Sequence, residues 1–235
     1  MTGEVVALHR WPVKSLGGEP VGDLEIDGRG AAGDRAHALF DEFKGERRRL
    51  TIRQVPRMVL WGASYGDDPV PLDDPPPPTL TAPDGTTYSW DDADLPQALG
   101  DDLGRPVTLR RDPHNMQDLP ESLLITFGAS HRAVEDDLGE TIDPLRWRTN
   151  LHVEADAAAF AEAGWEGRTL RVGDAELALL HPCVRCVIPT RDPHTAEKKP
   201  ELLRYLNAER ATLFGINARP VEHATIATGD PVELV

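Results

Sequence analysis

The chain has 235 residues, enough for one large domain or two small ones with an ample core. Its 40 acidic against 25 basic residues leave a formal net charge of −15, a field that opposes nucleic acid and anionic membrane surfaces. Any anion it binds must be held by a local cluster of cations. Two cysteines cannot make a disulfide framework, no segment has the length of a membrane span, and no basic region followed by a long apolar run opens the chain. These features predict a soluble, cytoplasmic protein.

In chain order, Val5 to Leu8 reads as a short strand running into Trp11-Pro12-Val13-Lys14-Ser15, where a cation stands beside a hydroxyl before Gly17-Gly18. Pro20 to Ile26 alternates as a strand. The glycines from Gly28 to Gly33 do not open a helix, since Ala36 to Asp41 again alternates. The dinucleotide fingerprint is therefore rejected, and the glycines are read as a turn that aims Arg35. Glu46 to Arg57 is a basic island, read first as a solvated edge and second as the border of an anionic ligand. Val59 to Ser64 reads as strand, and Pro69 to Pro78, with six prolines, as a loop barred from a sheet interior. Thr86 to Trp90 resumes strand, Leu95 to Leu103 is a helix stopped by Gly104, and Val107 to Leu109 is a strand.

The polar, turn-rich run from Asp112 to Asp118 is taken as the boundary between an N-terminal domain (1–112) and a C-terminal domain (113–235). Beyond it, Ser122 to Thr126 is a buried strand, and Ser130 is placed to cap a helix through Leu138. Arg146-Trp147-Arg148-Thr149-Asn150 forms a second cationic cluster at the entry to the strand Leu151 to Val153. Ala157 to Ala163 reads as a short helix, Glu201 to Glu209 as another, and Thr225 to Val235 as the run that closes the sheet.

The chain's two cysteines lie in Leu180-His181-Pro182-Cys183-Val184-Arg185-Cys186-Val187-Ile188-Pro189, behind two apolar runs joined by Gly173-Asp174. That pattern is a β-hairpin delivering the cysteines at a strand end. A thiolate is a soft ligand and a strong nucleophile, and an adjacent guanidinium favours its ionised form. A zinc site would need two further ligands, and a redox pair would want a helix where Val187, Ile188 and Pro189 oppose one. Spacing alone leaves two readings open: a reactive or metal-binding cysteine, and inert packing.

Taken together, Trp11 to Ser15, Gly33-Asp34-Arg35, Arg148-Thr149-Asn150, Cys183-Val184-Arg185-Cys186 with Thr190 to Pro193, and the ending Gly229-Asp230-Pro231-Val232 resemble the MOSC domain preceded by its N-terminal β-barrel domain. Within that family the amidoxime-reducing members and their bacterial relatives compare best. The resemblance implies a mainly β fold with peripheral helices, one barrel packed on a smaller one, and molybdenum cofactor in the cleft between them. It implies that Cys186 ligates the metal and is the catalytic residue, and that Lys14, Ser15, Arg35, Arg148 and Asn150 contact the pterin and its phosphate. Thr149 stands where the reducing members have a proline, Ser130 matches a serine before a helix, and Cys183 and Arg185 complete the cofactor-binding set in supporting roles. The implied activity is reduction of small N-hydroxylated or N-oxide substrates. Two cysteines cannot hold an iron–sulfur cluster, so electrons are expected from a separate ferredoxin, or from a cytochrome b5-like carrier with its reductase. The alternative is a carrier of molybdenum cofactor or of persulfide sulfur on Cys186. A pyridoxal phosphate association is also known at family level.

Overall fold

Seven strands close into a barrel, and the strand nearest the start of the chain closes it. In the computed structural model, which describes residues 1–112 and 122–235, the barrel order is Leu151–Ala155, Leu123–Phe127, Leu213–Pro220, Ala175–Val184, Thr169–Val172, Pro231–Leu234 and Thr2–Arg10. Thr2–Arg10 then pairs back onto Leu151–Ala155, with Leu8 opposite Leu151. Neighbours are antiparallel except for Leu123–Phe127 and Leu151–Ala155, which run parallel and are connected through the helix Gly128–Leu138. Alternation drives the closure: Val5, Leu8, Ile125, Leu151, Val153, Leu170, Leu177 and Ile216 point to one side and form a single buried core.

A second core holds the rest of residues 1–112. Leu39, Leu50, Trp61 and Leu80 pack against the helix Leu95–Leu103, whose buried Leu95, Leu99 and Leu103 recur every fourth residue. That helix ends where expected, at Gly104 with φ of 70°. Short three-stranded sheets built from His37–Phe43, Glu46–Arg49 and Thr108–Arg111, and from Gly62–Ser64, Thr79–Thr81 and Thr87–Ser89, cover this core. A third cluster, under the helix Pro200–Arg210, stacks Trp147 on Phe214 with ring centroids 3.8 Å apart.

The mainly β architecture with peripheral helices matches the expectation, and so does the hairpin of Thr169–Val172 with Ala175–Val184. The boundary run lies, apart from Asp112, outside the described residues. Strands from before it enter sheets from after it: Thr2–Arg10 in the barrel, and Asp23–Asp27 against Ala224–Ala227.

Five local expectations need correction. Thr225 to Val235 is not one run closing the sheet but two strands: Ala224–Ala227 pairs with Asp23–Asp27 in a separate sheet, and only Pro231–Leu234 enters the barrel. Pro20 to Ile26 is two strands, Glu19–Val21 and Asp23–Asp27, because the segment changes partner at Gly22. Val59 to Ser64 is strand only over Gly62–Ser64; Pro56 starts a 3₁₀ turn that buries Met58 and Val59 first. The alanines before Gly164 do not nucleate an α-helix, because Phe160 sits at φ of 62° and leaves only a 3₁₀ turn over Ala161–Gly164. Ser130 is not a cap: the helix starts two residues earlier, at Gly128.

Candidate functional site

The cysteine strand, the Lys14 loop and the Arg148 turn meet at a cleft of about 390 Å³ between the two cores. On the first side, Lys14 and Ser15 are held by backbone pairing with the sheet: Lys14 N donates to His37 O at 2.8 Å, and His37 N to Pro12 O at 3.1 Å. Ser15 turns back with φ of 72°. Arg35 follows a glycine turn, as the sequence implies. Its Nη2 donates to the Arg148 carbonyl at 3.1 Å, while its Nη1 reaches Asp34 and lies 3.4 Å from Asn150 Oδ1.

On the facing side, Asn150 joins the barrel to the cleft. Its Oδ1 accepts from Leu124 N at 3.1 Å and its Nδ2 donates to His9 O at 3.3 Å. Arg148 adopts φ of 53°, lies over the Trp11 ring at 4.2 Å, and donates from Nη1 to Leu16 O at 2.7 Å. Burial, and then the nearby Arg35, hold its pKa down to about 9. Ser15, Arg35 and Arg148 are thus three non-glycine residues in the left-handed region, each costing on the order of 1 kcal/mol, and all three face one cleft.

Cys183 and Cys186 are free, half-buried thiols on the third wall. Arg185 N donates to Thr212 O at 2.7 Å, which fixes the loop beyond the strand. The guanidinium does not turn to Cys186. Its Nη1 lies 3.4 Å from Cys183 Sγ, and its Nη2 donates to the Trp147 carbonyl at 2.6 Å.

Five basic side chains line this cleft — Lys14, Arg35, Arg53, Arg148 and Arg185 — and no aspartate or glutamate stands among the described lining residues. In a chain of charge −15 that convergence of cations is a built site for an anion. Three polar atoms on lining residues, Ser15 Oγ, Arg148 Nη2 and Arg185 Nε, are buried without a hydrogen-bond partner. Buried donors left unpaired cost about 1–3 kcal/mol each, so the cleft is shaped for acceptors that a polar anion supplies.

Two expected site residues lie elsewhere. Ser130 Oγ donates to Glu162 Oε2 at 2.9 Å and accepts from Phe160 N at 2.8 Å, so it braces the turn before Thr169–Val172 and does not line the cleft. Thr149 Oγ1 shares its one hydrogen between the barrel carbonyls of Leu124 at 2.8 Å and Leu151 at 2.9 Å, and its carbonyl accepts from Trp11 Nε1 at 2.9 Å; it supports its neighbours from behind. Sequence reasoning passed over Asn217 and assigned no role to His181, both of which line the cleft. Asn217 had a weak signal: a polar residue between Ile216 and Ala218, which point into the barrel core, so that alternation turns it to the opposite face, where the structure buries it against the cleft.

A pH dependence arises here. Burial first, then Arg111, pushes the His37 imidazole down to about 4, and burial with neighbouring His131 does the same to His152. Both rings are neutral in the fold, whereas the unfolded chain takes up protons below pH 6.5. Stability from these groups is therefore complete above pH 6.5 and is lost as pH falls towards 4. The loss is at most about 3 kcal/mol per histidine, from the shift multiplied by 1.36 kcal/mol per unit. Urea midpoints are expected to fall between pH 7 and pH 4.5, with a shallower fall in His152→Asn.

The chain belongs to the MOSC family: the MOSC domain matches residues 115–233 and the MOSC N-terminal beta barrel domain residues 2–93. The chain is 27% identical to mitochondrial amidoxime-reducing component 1 of Homo sapiens, over 99% of this chain and 83% of that protein. Among solved structures it is similar to the YuaD protein from Bacillus subtilis, with 12% identity, 100% of this chain and 96% of that one covered, and a TM-score of 0.49. It is also similar to YiiM from Geobacillus stearothermophilus, with 16% identity, 48% and 53% covered, and a TM-score of 0.39. Among the described residues no helix is long and apolar enough to cross a membrane.

Proposed function

We propose that the chain is a molybdenum-cofactor-dependent oxidoreductase that reduces small N-hydroxylated or N-oxide compounds with electrons from a separate carrier protein. MOSC domains are associated with molybdenum cofactor binding, and the human relative's name specifies amidoxime reduction. One observation carries the reading: five cations and three unpaired buried donors converge beside two free thiols. The residues present fit an anionic pterin with a soft metal. Lys14, Arg35 and Arg148 would neutralise the phosphate, Ser15 and Asn150 would orient the ring system, and the Cys186 thiolate would ligate the metal. Cys183 and Arg185 would support that ligand from beside it. When bound, the cofactor supplies two-electron oxygen-atom chemistry. The chain's own contribution is to hold it between the two cores, to match its charge, and to leave the Cys186 side open to small molecules.

The test is expression in a host that makes the cofactor, followed by metal analysis and pterin fluorescence after gel filtration. Loaded protein should convert benzamidoxime to benzamidine under anaerobic dithionite–viologen. NADH or NADPH alone should not support turnover, since no dinucleotide fingerprint is present. Loaded protein that is inactive on several N–O compounds, yet activates a cofactor-free acceptor enzyme, would replace the reductase by a carrier.

A further inference from the structure

Removing oxygen from an amidoxime breaks one N–O bond and takes two electrons and two protons, giving the amidine and water. On the reading above, which this inference deepens, the electrons come from an external one-electron carrier through the bound cofactor. The proton taken by the departing oxygen must come from a group beside it, because an unprotonated oxygen is a poor leaving group.

Few cleft residues can deliver one near neutrality. Arg35, Arg53, Arg148 and Arg185 are cations held for charge, and a lysine such as Lys14 ordinarily releases its proton only far above neutrality. No carboxyl group stands among the described lining residues. Of the thiols, Cys186 is assigned to the metal and Cys183 accepts from Arg185. What remains is His181, on the same strand as Cys183 and two residues before it, with both side chains lining the cleft.

We propose that His181 is a catalytic residue that donates one proton to the departing oxygen, the second reaching the amidine nitrogen from water. The geometry defines which nitrogen acts. His181 Nδ1 lies 3.0 Å from the Pro182 carbonyl oxygen, which only accepts, and 3.5 Å from Asn217 Nδ2, which only donates; the shorter contact places the hydrogen on Nδ1. Nε2 is then the atom that gains and loses a proton, and imidazole is the side chain suited to do so at physiological pH. On the adjoining strand Leu213–Pro220, the uncharged Asn217 extends Nδ2 to 3.4 Å from the His181 carbonyl oxygen and steadies the residue. The charged and titratable groups facing the same cleft are Lys14, the four arginines and the two thiols. His181 is exposed at the rim, so water restores its proton after each cycle.

The test uses cofactor-loaded protein with His181→Gln and, for rescue, His181→Ala. Molybdenum and pterin content should match the parent, KM for benzamidoxime should change little, and kcat should fall on the order of 100-fold, the usual worth of a positioned acid. Added imidazole should restore part of the activity of His181→Ala, and the alkaline fall in the parent's pH profile should vanish in both variants. Independently of turnover, the carbon-bound ring-proton resonance missing from His181→Gln should shift when benzamidine is added to the parent. A kcat within twofold of the parent would overturn the proposal. So would loss of molybdenum together with activity, which would make His181 a cofactor-holding residue. Inactivity of the loaded parent sinks the reductase reading itself, whereas a variant defect with an active parent bears only on the proton donor.

Discussion

Cys186→Ser is expected to fold normally and to lose essentially all bound molybdenum, while Cys183→Ser keeps most of it. Both thiols are half-buried at the end of a strand, so neither substitution opens a core cavity. The difference is chemical. A serine hydroxyl is a hard donor that stays protonated at neutral pH, whereas ligation here calls for an ionised, soft and polarizable sulfur. At position 183 the arginine contact survives the change, because a hydroxyl still accepts from Arg185 Nη1. Metal analysis of both gel-filtered variants, with circular dichroism to confirm folding, decides the matter. Equal loss from both would mean a shared two-cysteine site.

Arg148→Met should weaken pterin retention by about 1.5–3 kcal/mol, the worth of a charge-assisted contact, and should not lower the stability of the cofactor-free protein. Arg148 is a buried cation beside Arg35, with one nitrogen unpaired. A basic group whose pKa is depressed in the fold is a liability at every pH below the folded value. Here that range extends up to about 9, and the cost is relieved only as pH rises from there towards the ordinary arginine range. Methionine fills similar space over Trp11 without a charge. Inorganic phosphate should raise the melting temperature of the cofactor-free parent and have less effect on the variant, since ligand stabilisation scales with affinity for the folded state. Retention equal to the parent's would remove Arg148 from the cofactor site.

Local chemistry made much of this molecule legible in advance. Gly173-Asp174 between two apolar runs specified the hairpin, and leucines at 95, 99 and 103 before Gly104 specified a helix to the residue. The glycine turn before Arg35 and the cationic cluster around Arg148 at a strand entry mark both arginines. What stayed hidden is non-local or conformational. Nothing in Val5 to Leu8 announces pairing with Leu151 some 140 residues away, since alternation specifies a face and not a partner. Left-handed φ at Ser15, Arg148 and Phe160 could not be foreseen from residue types that ordinarily avoid it. The direction of Arg185 was also unreadable: adjacency in sequence suggested Cys186, but residues i and i+2 share a side of an extended chain, and the guanidinium went to Cys183.

The strand that closes the barrel also sets a schedule for folding. Thr2–Arg10 is made before its partners Leu151–Ala155 and Pro231–Leu234, which follow about 140 and 220 residues later. At about 5–20 residues per second, that strand waits roughly 10–45 s for those two edges, and meanwhile only Leu8, His9 and Arg10 have a partner, in Glu19–Val21. The nascent chain therefore passes through an open, six-stranded sheet whose two free edges invite pairing with other chains. Faster maturation would come from delivering that strand later. Leu234 N donates to Met1 O at 3.1 Å, so the ends of the barrel chain meet in space. A permuted gene that joins them by a short linker and opens in the exposed Asp67-Asp68 loop would make Thr2–Arg10 after its partners, and should give more soluble protein at high expression.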